Sequence, residues 1–298
     1  MSGGSLTRRA LLAQVAILAL AGTSLAQDGD RVLSIGGSVT EIVHALGQED
    51  RLIARDTTST FPPNVTKLPD VGYARALSPE GVLSVAPSLI LAIDGAGPPE
   101  TIEVLRQSGV GFVTIPEAHS AEGIITKITA VGAALGVPER AEALASETRT
   151  ALATAATRTA QVPEAARKRV LFILSLQGGR ILASGRDTQA AAIIEMAGGI
   201  NAVTAFEGYK QLTDEAVAEA APDVILMMDR TGDHAILDEQ LFAMPAIRIT
   251  PAGADEAIVR MNGLYLLGFG PRTASAALDL NSALYPQRQE TDNDRDPS

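Results

Sequence analysis

The chain has no cysteine and no tryptophan among its 298 residues, and aromatic side chains make up only 3%. Without thiols there can be no disulfide, no thiolate nucleophile, no cysteine-ligated zinc and no iron–sulfur cluster. So few rings also argue against a platform on which nucleic-acid bases would stack. Positive charge is short: 24 lysines and arginines stand against 35 aspartates and glutamates, for a net charge of −11. A field of that sign repels phosphate backbones, so no nucleic-acid partner is expected. What is there is ordinary for a folded protein: 46% hydrophobic and 20% charged residues, too apolar for general disorder.

Residues 1–26 read as a signal peptide, with Arg8-Arg9 as the basic region, Leu11 to Ala21 as the apolar stretch and Ser24-Leu25-Ala26 as a small-x-small cleavage site. That apolar stretch is too short for a bilayer core, which needs about 20 residues. The context Thr7-Arg8-Arg9-Ala10-Leu11-Leu12 is similar to a twin-arginine export signal, but paired arginines also suit the general secretory route, and both routes stay open. No cysteine is available to carry a lipid, so the expected product is a free periplasmic protein starting near Gln27. At the far end, residues 287–298 (QRQETDNDRDPS) lack apolar side chains and read as a disordered tail.

Between these ends, strand-like and helix-like segments alternate. Arg31 to Ile35 is a short apolar strand, Gly36-Gly37 a turn, and Ser38 to Gly47 a helix ending at glycine. Ser88 to Ile93 and Gly111 to Ile115 are continuous apolar runs, which suit parallel strands covered on both faces. The class is therefore α/β. An internal repeat follows: SPEGVLSVAPSLILAID (78–94) matches TDEAVAEAAPDVILMMD (213–229), and RVLSI (31–35) matches RVLFIL (169–174). Gly72-Tyr73 corresponds to Gly208-Tyr209 with a one-residue gap. Two homologous Rossmann-like lobes are expected, at 31–138 and 168–286, with parallel-rich sheets. Residues 139–167 lie between them, and Glu139 to Ala160, without Gly or Pro, reads as one long stiff helix.

Ligands of open α/β sheets bind beyond the carboxyl ends of the strands. The loops there carry little catalytic machinery. There is no G-x-S-x-G elbow, Gly36-Gly37 lacks the dinucleotide-loop spacing, and His44, His119 and His234 show no metal-pair spacing. An enzyme is not expected. Tyr73, in the loop Leu68 to Arg75 just before Ser78-Pro79-Glu80, is the more informative residue; taken alone, a loop tyrosine is a packing residue with a wet hydroxyl.

The run LPDVGYARALSPEGVLSVAPSLIL resembles the periplasmic haem-binding proteins of bacterial haem ABC importers. GGSVTEIVHALG before it, and GRDTQAAAIIEMAGGINAV, GYKQLTDEAV, APDVILMM and LYLLGFGPRT after it, extend the likeness over about 31–286. The resemblance implies a helical-backbone (class III) binding protein whose VGY tyrosine, here Tyr73, is the axial ligand of haem iron. It implies that Arg230, after the second-lobe strand, hydrogen-bonds that phenolate. A phenolate is a hard donor suited to Fe(III), and arginine supplies charge without competing for the proton. The residue-level alternative for Arg230 is an ion pair with Asp229 or Asp233. Tyr209 would face the same cleft, and Arg75 and Lys210 are candidate propionate partners. No histidine matches a second-haem position, so one haem b is expected.

The resemblance further implies docking on an inner-membrane permease through one glutamate per lobe, here Glu41 and Glu195. Glu41 has a local alternative, since Ser38-Val39-Thr40-Glu41 reads as a capping box. The function implied is capture of haem in the periplasm by a monomer and delivery to an ABC permease with its ATPase, downstream of an outer-membrane haem receptor system. The alternatives are a siderophore or corrinoid carrier of the same fold, and a haem-handling enzyme, for which no acid–base pair is evident.

Overall fold

The computed structural model describes residues 31–229 and 236–286. The N-terminal lobe runs β1 (Val32–Ile35), α1 (Gly37–Ala45), β2 (Leu52–Arg55), α2 (Pro79–Ser84), β3 (Leu89–Ile93), α3 (Pro99–Gln107), β4 (Gly111–Ile115) and α4 (Ala121–Leu135). Its four strands are all parallel, in the order β2-β1-β3-β4. Every residue of β1 is buried, as expected of a strand covered on both faces.

Helix α5 (Pro138–Thr159) leads to the C-terminal lobe. That lobe opens with β5 (Arg169–Gln177), β6 (Arg180–Ser184), α6 (Gln189–Met196), β7 (Ile200–Asn201), β8 (Tyr209–Gln211) and α7 (Asp214–Ala220). It continues with β9 (Val224–Asp229), α8 (Asp238–Phe242), α9 (Pro245–Arg248), α10 (Pro251–Ala254), β10 (Ile258–Asn262), α11 (Gly263–Leu267) and α12 (Thr273–Leu284). Its sheet runs β10-β9-β5-β6-β8, with β7 paired to the start of β5. Strands β10, β9 and β5 are parallel, whereas β6 is antiparallel to both β5 and β8. The two-lobe, parallel-rich α/β architecture is as expected. The antiparallel β5–β6 hairpin was not, because Gln177-Gly178-Gly179-Arg180 passes for a strand-to-helix loop in the sequence; Gly178 and Gly179 both take positive φ there and reverse the chain at once.

The repeat is visible as shared backbone geometry. Ser78 caps α2 by accepting from the Gly81 amide, and Thr213 caps α7 by accepting from the Ala216 amide. Both helices then exit through an alanine at positive φ, Ala86 (47°) and Ala221 (39°), directly before a proline and a buried strand.

Each lobe keeps a private core on one side of its sheet, around Leu33, Ile90 and Leu105 in the first and Ile173, Ile225 and Leu241 in the second. On the other side the two lobes share one continuous cluster, from Val32 and Leu91 through Leu152 and Ala155 of α5 to Phe172, Leu226 and Leu280. Helix α5 buries Ala141, Ala145, Thr148, Leu152, Ala155 and Thr159, a three-and-four spacing that puts them on one face. It spans about 33 Å at 1.5 Å per residue. It is laid along both lobes, packed on α4 and α12, rather than standing free between them.

Candidate ligand-binding cleft

The loop that carries Tyr73 is tied down on both sides. The Asp70 carboxylate accepts from the Gly72 amide (2.9 Å), the Thr57 hydroxyl (3.1 Å) and Arg55 Nη1 (2.9 Å). The Thr57 amide donates to the Gly72 carbonyl, and Gly97 and Ala74 join the loop to the turn after β3. Gly72 sits at φ 102°, a conformation that side chains with a Cβ resist. The backbone is therefore fixed while the Tyr73 ring is left free: it is 50% exposed, and its hydroxyl makes no hydrogen bond among the described residues.

Tyr209, on β8 of the other lobe, is half-buried with its ring edge-on to Phe172 at 6.4 Å. Burial pushes the Tyr209 phenol above the ordinary tyrosine range, against opposing pulls from Thr188 and from the charge of Arg75. Arg75 is exposed, two residues beyond Tyr73, and its charge acts on Tyr209 of the other lobe. Burial keeps Tyr209 a neutral phenol, a hydrogen-bonding or stacking group rather than an anionic donor.

Lys210 is not brought into this group. Successive strand residues point to opposite faces, and the Lys210 ammonium lies over the Phe206 ring at 5.3 Å. Arg230 and His234 lie outside the described residues. The amides of the β1–α1 turn are occupied: Gly36 donates to buried Asp56 and Gly37 to Thr58, each at 2.9 Å. Among the described residues no three histidines or carboxylates cluster as a metal site.

Glu41 is not placed as expected. Helix α1 is capped at Gly36 with no side-chain cap bond, so the Ser38–Glu41 capping box does not form. The Glu41 side chain is 7% exposed and pairs with Arg272 at 2.7 Å, a partner 231 positions away. A carboxylate so enclosed is not free to dock on another protein. Glu195 is exposed and lines a cavity of about 440 Å³ with His119, Leu152, Ala155, Met196 and Ala277, which neither tyrosine reaches.

A family model described as "Periplasmic binding protein" matches residues 32–263. The chain belongs to the periplasmic binding protein family. Solved relatives include the periplasmic heme-binding protein BhuT, 40% identical over 86% of this chain and 98% of that one, with a TM-score of 0.82. RhuT from Roseiflexus sp. RS-1, also a periplasmic heme-binding protein, is 36% identical over 87% and 98%, again at 0.82. The vitamin B12-binding protein of Vibrio cholerae is 25% identical over 83% of this chain and 86% of its own. As a periplasmic binding protein the chain is a substrate carrier and not an enzyme, as its loops suggested.

Sequence reasoning missed two groups of residues in this periplasmic binding protein. The first is the repeat-related pair Glu80 and Glu215, both exposed in the first turns of α2 and α7. The repeat itself aligns them, and that signal was available. The second is the ion cluster around Lys127, which is fully buried on α4 and donates to both oxygens of Glu117 (3.0 and 2.9 Å), to Ser38 Oγ (3.1 Å) and to the carbonyls of Gly268 (3.3 Å) and Phe269 (2.9 Å). A helical lysine reads as solvated, so nothing local marked it.

Proposed function

We propose that the mature protein binds haem in the inter-lobe cleft with Tyr73 as the ligand to ferric iron, and passes it to an inner-membrane ABC permease. The observation that carries this reading is the Tyr73 loop: a tied backbone that presents an exposed phenol two residues from Arg75, whose charge acts on Tyr209 of the other lobe. The heme-binding names of BhuT and RhuT, at 40% and 36% identity, support haem as the cargo. Arg75 is the propionate partner this geometry favours. Arg230 keeps the role the resemblance gives it, donating to the phenolate and favouring its charged form. Lys210, whose ammonium is held over Phe206, is set aside as a propionate partner in this reading.

The exposed pair Glu80 and Glu215 replaces Glu41 and Glu195 in this reading as the docking carboxylates. Two-point docking needs one accessible anchor on each lobe, and Glu41 is enclosed. Both Glu80 and Glu215 follow a capping residue at the start of a helix close to a cleft tyrosine, and hydrogen bonds from its own amide and from Thr213 hold the Glu215 carboxyl below its ordinary range. The export signal at residues 1–26 completes the reading; N-terminal sequencing of the secreted protein is expected to begin near Gln27.

A corrinoid is the second reading, favoured by the vitamin B12-binding relative. Titration of wild type and Tyr73→Phe with hemin and with cobalamin, followed by absorption spectra, separates the two. Haem binding predicts a high-spin ferric spectrum lost in the variant and saturation at one equivalent. Undiminished hemin affinity in Tyr73→Phe, or tight binding of cobalamin alone, overturns it. In reconstituted transporter, Glu80→Lys with Glu215→Lys is expected to abolish uptake and leave hemin affinity unchanged.

A further inference from the structure

We propose that the segment Leu264–Arg272 forms a second tie between the lobes that sets the width of the cleft, making Lys127 and Arg272 positioning residues for the ligand although neither belongs to the tyrosine site. This rests on the inter-lobe cleft being where cargo binds. Helix α5 and the shared core, which takes in Leu266 and Phe269 of this segment, hold the lobes side by side, but apolar packing is non-directional. The polar contacts of the tie supply the direction. It leaves the C-terminal lobe at the carboxyl end of β10 and meets the N-terminal lobe at the carboxyl ends of β1 and β4, the same edge of the sheets that bears the cleft.

Four contacts build it. Leu264 of α11 packs on Gly37 so closely that a Cβ added there would lie 2.5 Å from Leu264 Cδ1. The Lys127 ammonium crosses from α4 to the carbonyls of Gly268 and Phe269 while remaining paired with Glu117. His119 meets the Phe269 ring edge-on at 5.6 Å. The Arg272 guanidinium pairs with Glu41, stacks on Phe61 of the N-terminal lobe at 3.5 Å, and stands 5.1 Å from the Tyr265 ring of its own lobe.

Two cations and two carboxylates thus balance at the seam. Parting the lobes would strip Lys127 of its two carbonyl acceptors and Arg272 of its anion, and each of these charge-assisted bonds would have to be exchanged for water. The tie therefore favours one arrangement of the lobes, and the spacing between the lobe that bears Tyr73 and the lobe that bears Tyr209 follows from it.

The absence of native cysteine makes the test direct. Spin labels on Glu100→Cys and Glu219→Cys, exposed on α3 and α7, report the inter-lobe distance by pulsed dipolar spectroscopy without cargo. Lys127→Met and the milder, half-exposed Arg272→Gln are each expected to broaden the distance distribution. Each is also expected to raise the hemin dissociation constant about tenfold, because only part of the population keeps the binding-competent spacing. The Tyr73-dependent absorption spectrum of the bound fraction stays unchanged, and Arg272→Lys recovers part of the narrow distribution. Should Lys127→Met fail to fold, Arg272→Gln decides. A distribution as narrow as wild type in the variant that folds, even with lowered melting temperature, overturns the tie. Wild type that ignores hemin would instead overturn the cargo reading, and the distances, measured without it, would still test the tie.

Discussion

The Tyr73 loop and the Lys127 cluster invert each other. In the loop, Asp70, Thr57 and Gly97 fix the main chain and the functional side chain has no hydrogen-bond partner among the described residues. In the cluster, the functional side chain is saturated, with Lys127 donating to five oxygens drawn from α1, the β4–α4 loop and the segment before α12. The difference separates two tasks. A ligand-binding group must stay unsatisfied until cargo arrives, whereas a group that sets geometry must be satisfied beforehand.

That contrast can be broken most forcefully at Lys127. Replacing it with Met removes one partner of a buried ion pair, and denaturant unfolding is expected to show a loss of about 3–5 kcal/mol. A loss under 1 kcal/mol would mean that the cluster is not satisfied as described. Gly72→Ala probes the loop backbone: at φ 102° a Cβ should destabilise by about 1–2 kcal/mol and turn the Tyr73 ring, so hemin affinity and stability fall together. Unaltered stability would show that the loop is less fixed than its hydrogen bonds imply.

A gentler test uses alkaline pH. Tyr265 donates to Asp279 at 2.8 Å, and burial first, then that carboxylate, push its phenol up to about 12. Its folded pKa is raised, so between about pH 10 and 12 the unfolded chain loses the proton first and stability falls as pH rises; below pH 10 this contribution is fully present. Tyr265→Phe should flatten the decline between pH 10 and 12, with phenolate absorbance as the check. A decline as steep as wild type would place its cause elsewhere. The smallest effect is expected at Lys210, where Lys210→Ala should leave hemin affinity within about twofold, as for an exposed substitution away from the ligand. A tenfold loss would return it to the propionate site.

The contrast also explains what could be read from the sequence. The buried strands were legible because continuous apolar runs such as Leu89–Ile93 need no distant information. The capped starts of α2 and α7 were legible for the same reason, since Ser78 and Thr213 act within three residues. Tyr73 was reached only through family resemblance, because its local setting is that of any loop tyrosine. The local alternative for Glu41, a capping box with Ser38 three residues away, does not form, because its partner Arg272 lies in the other lobe. Lys127 was invisible, because its burial depends on carbonyls 141 and 142 positions downstream.

That sequence distance has a consequence for biogenesis. A chain made and folded from its N-terminus assembles α1 and α4 long before residues 268 and 269 emerge. Until then the Lys127 ammonium has only Glu117 and Ser38, and water must serve in place of the missing carbonyls. The last thirty or so residues thus complete the first lobe as well as the second, so a nascent or clipped chain that stops short of Phe269 lacks the plug for a hole in its own opening half.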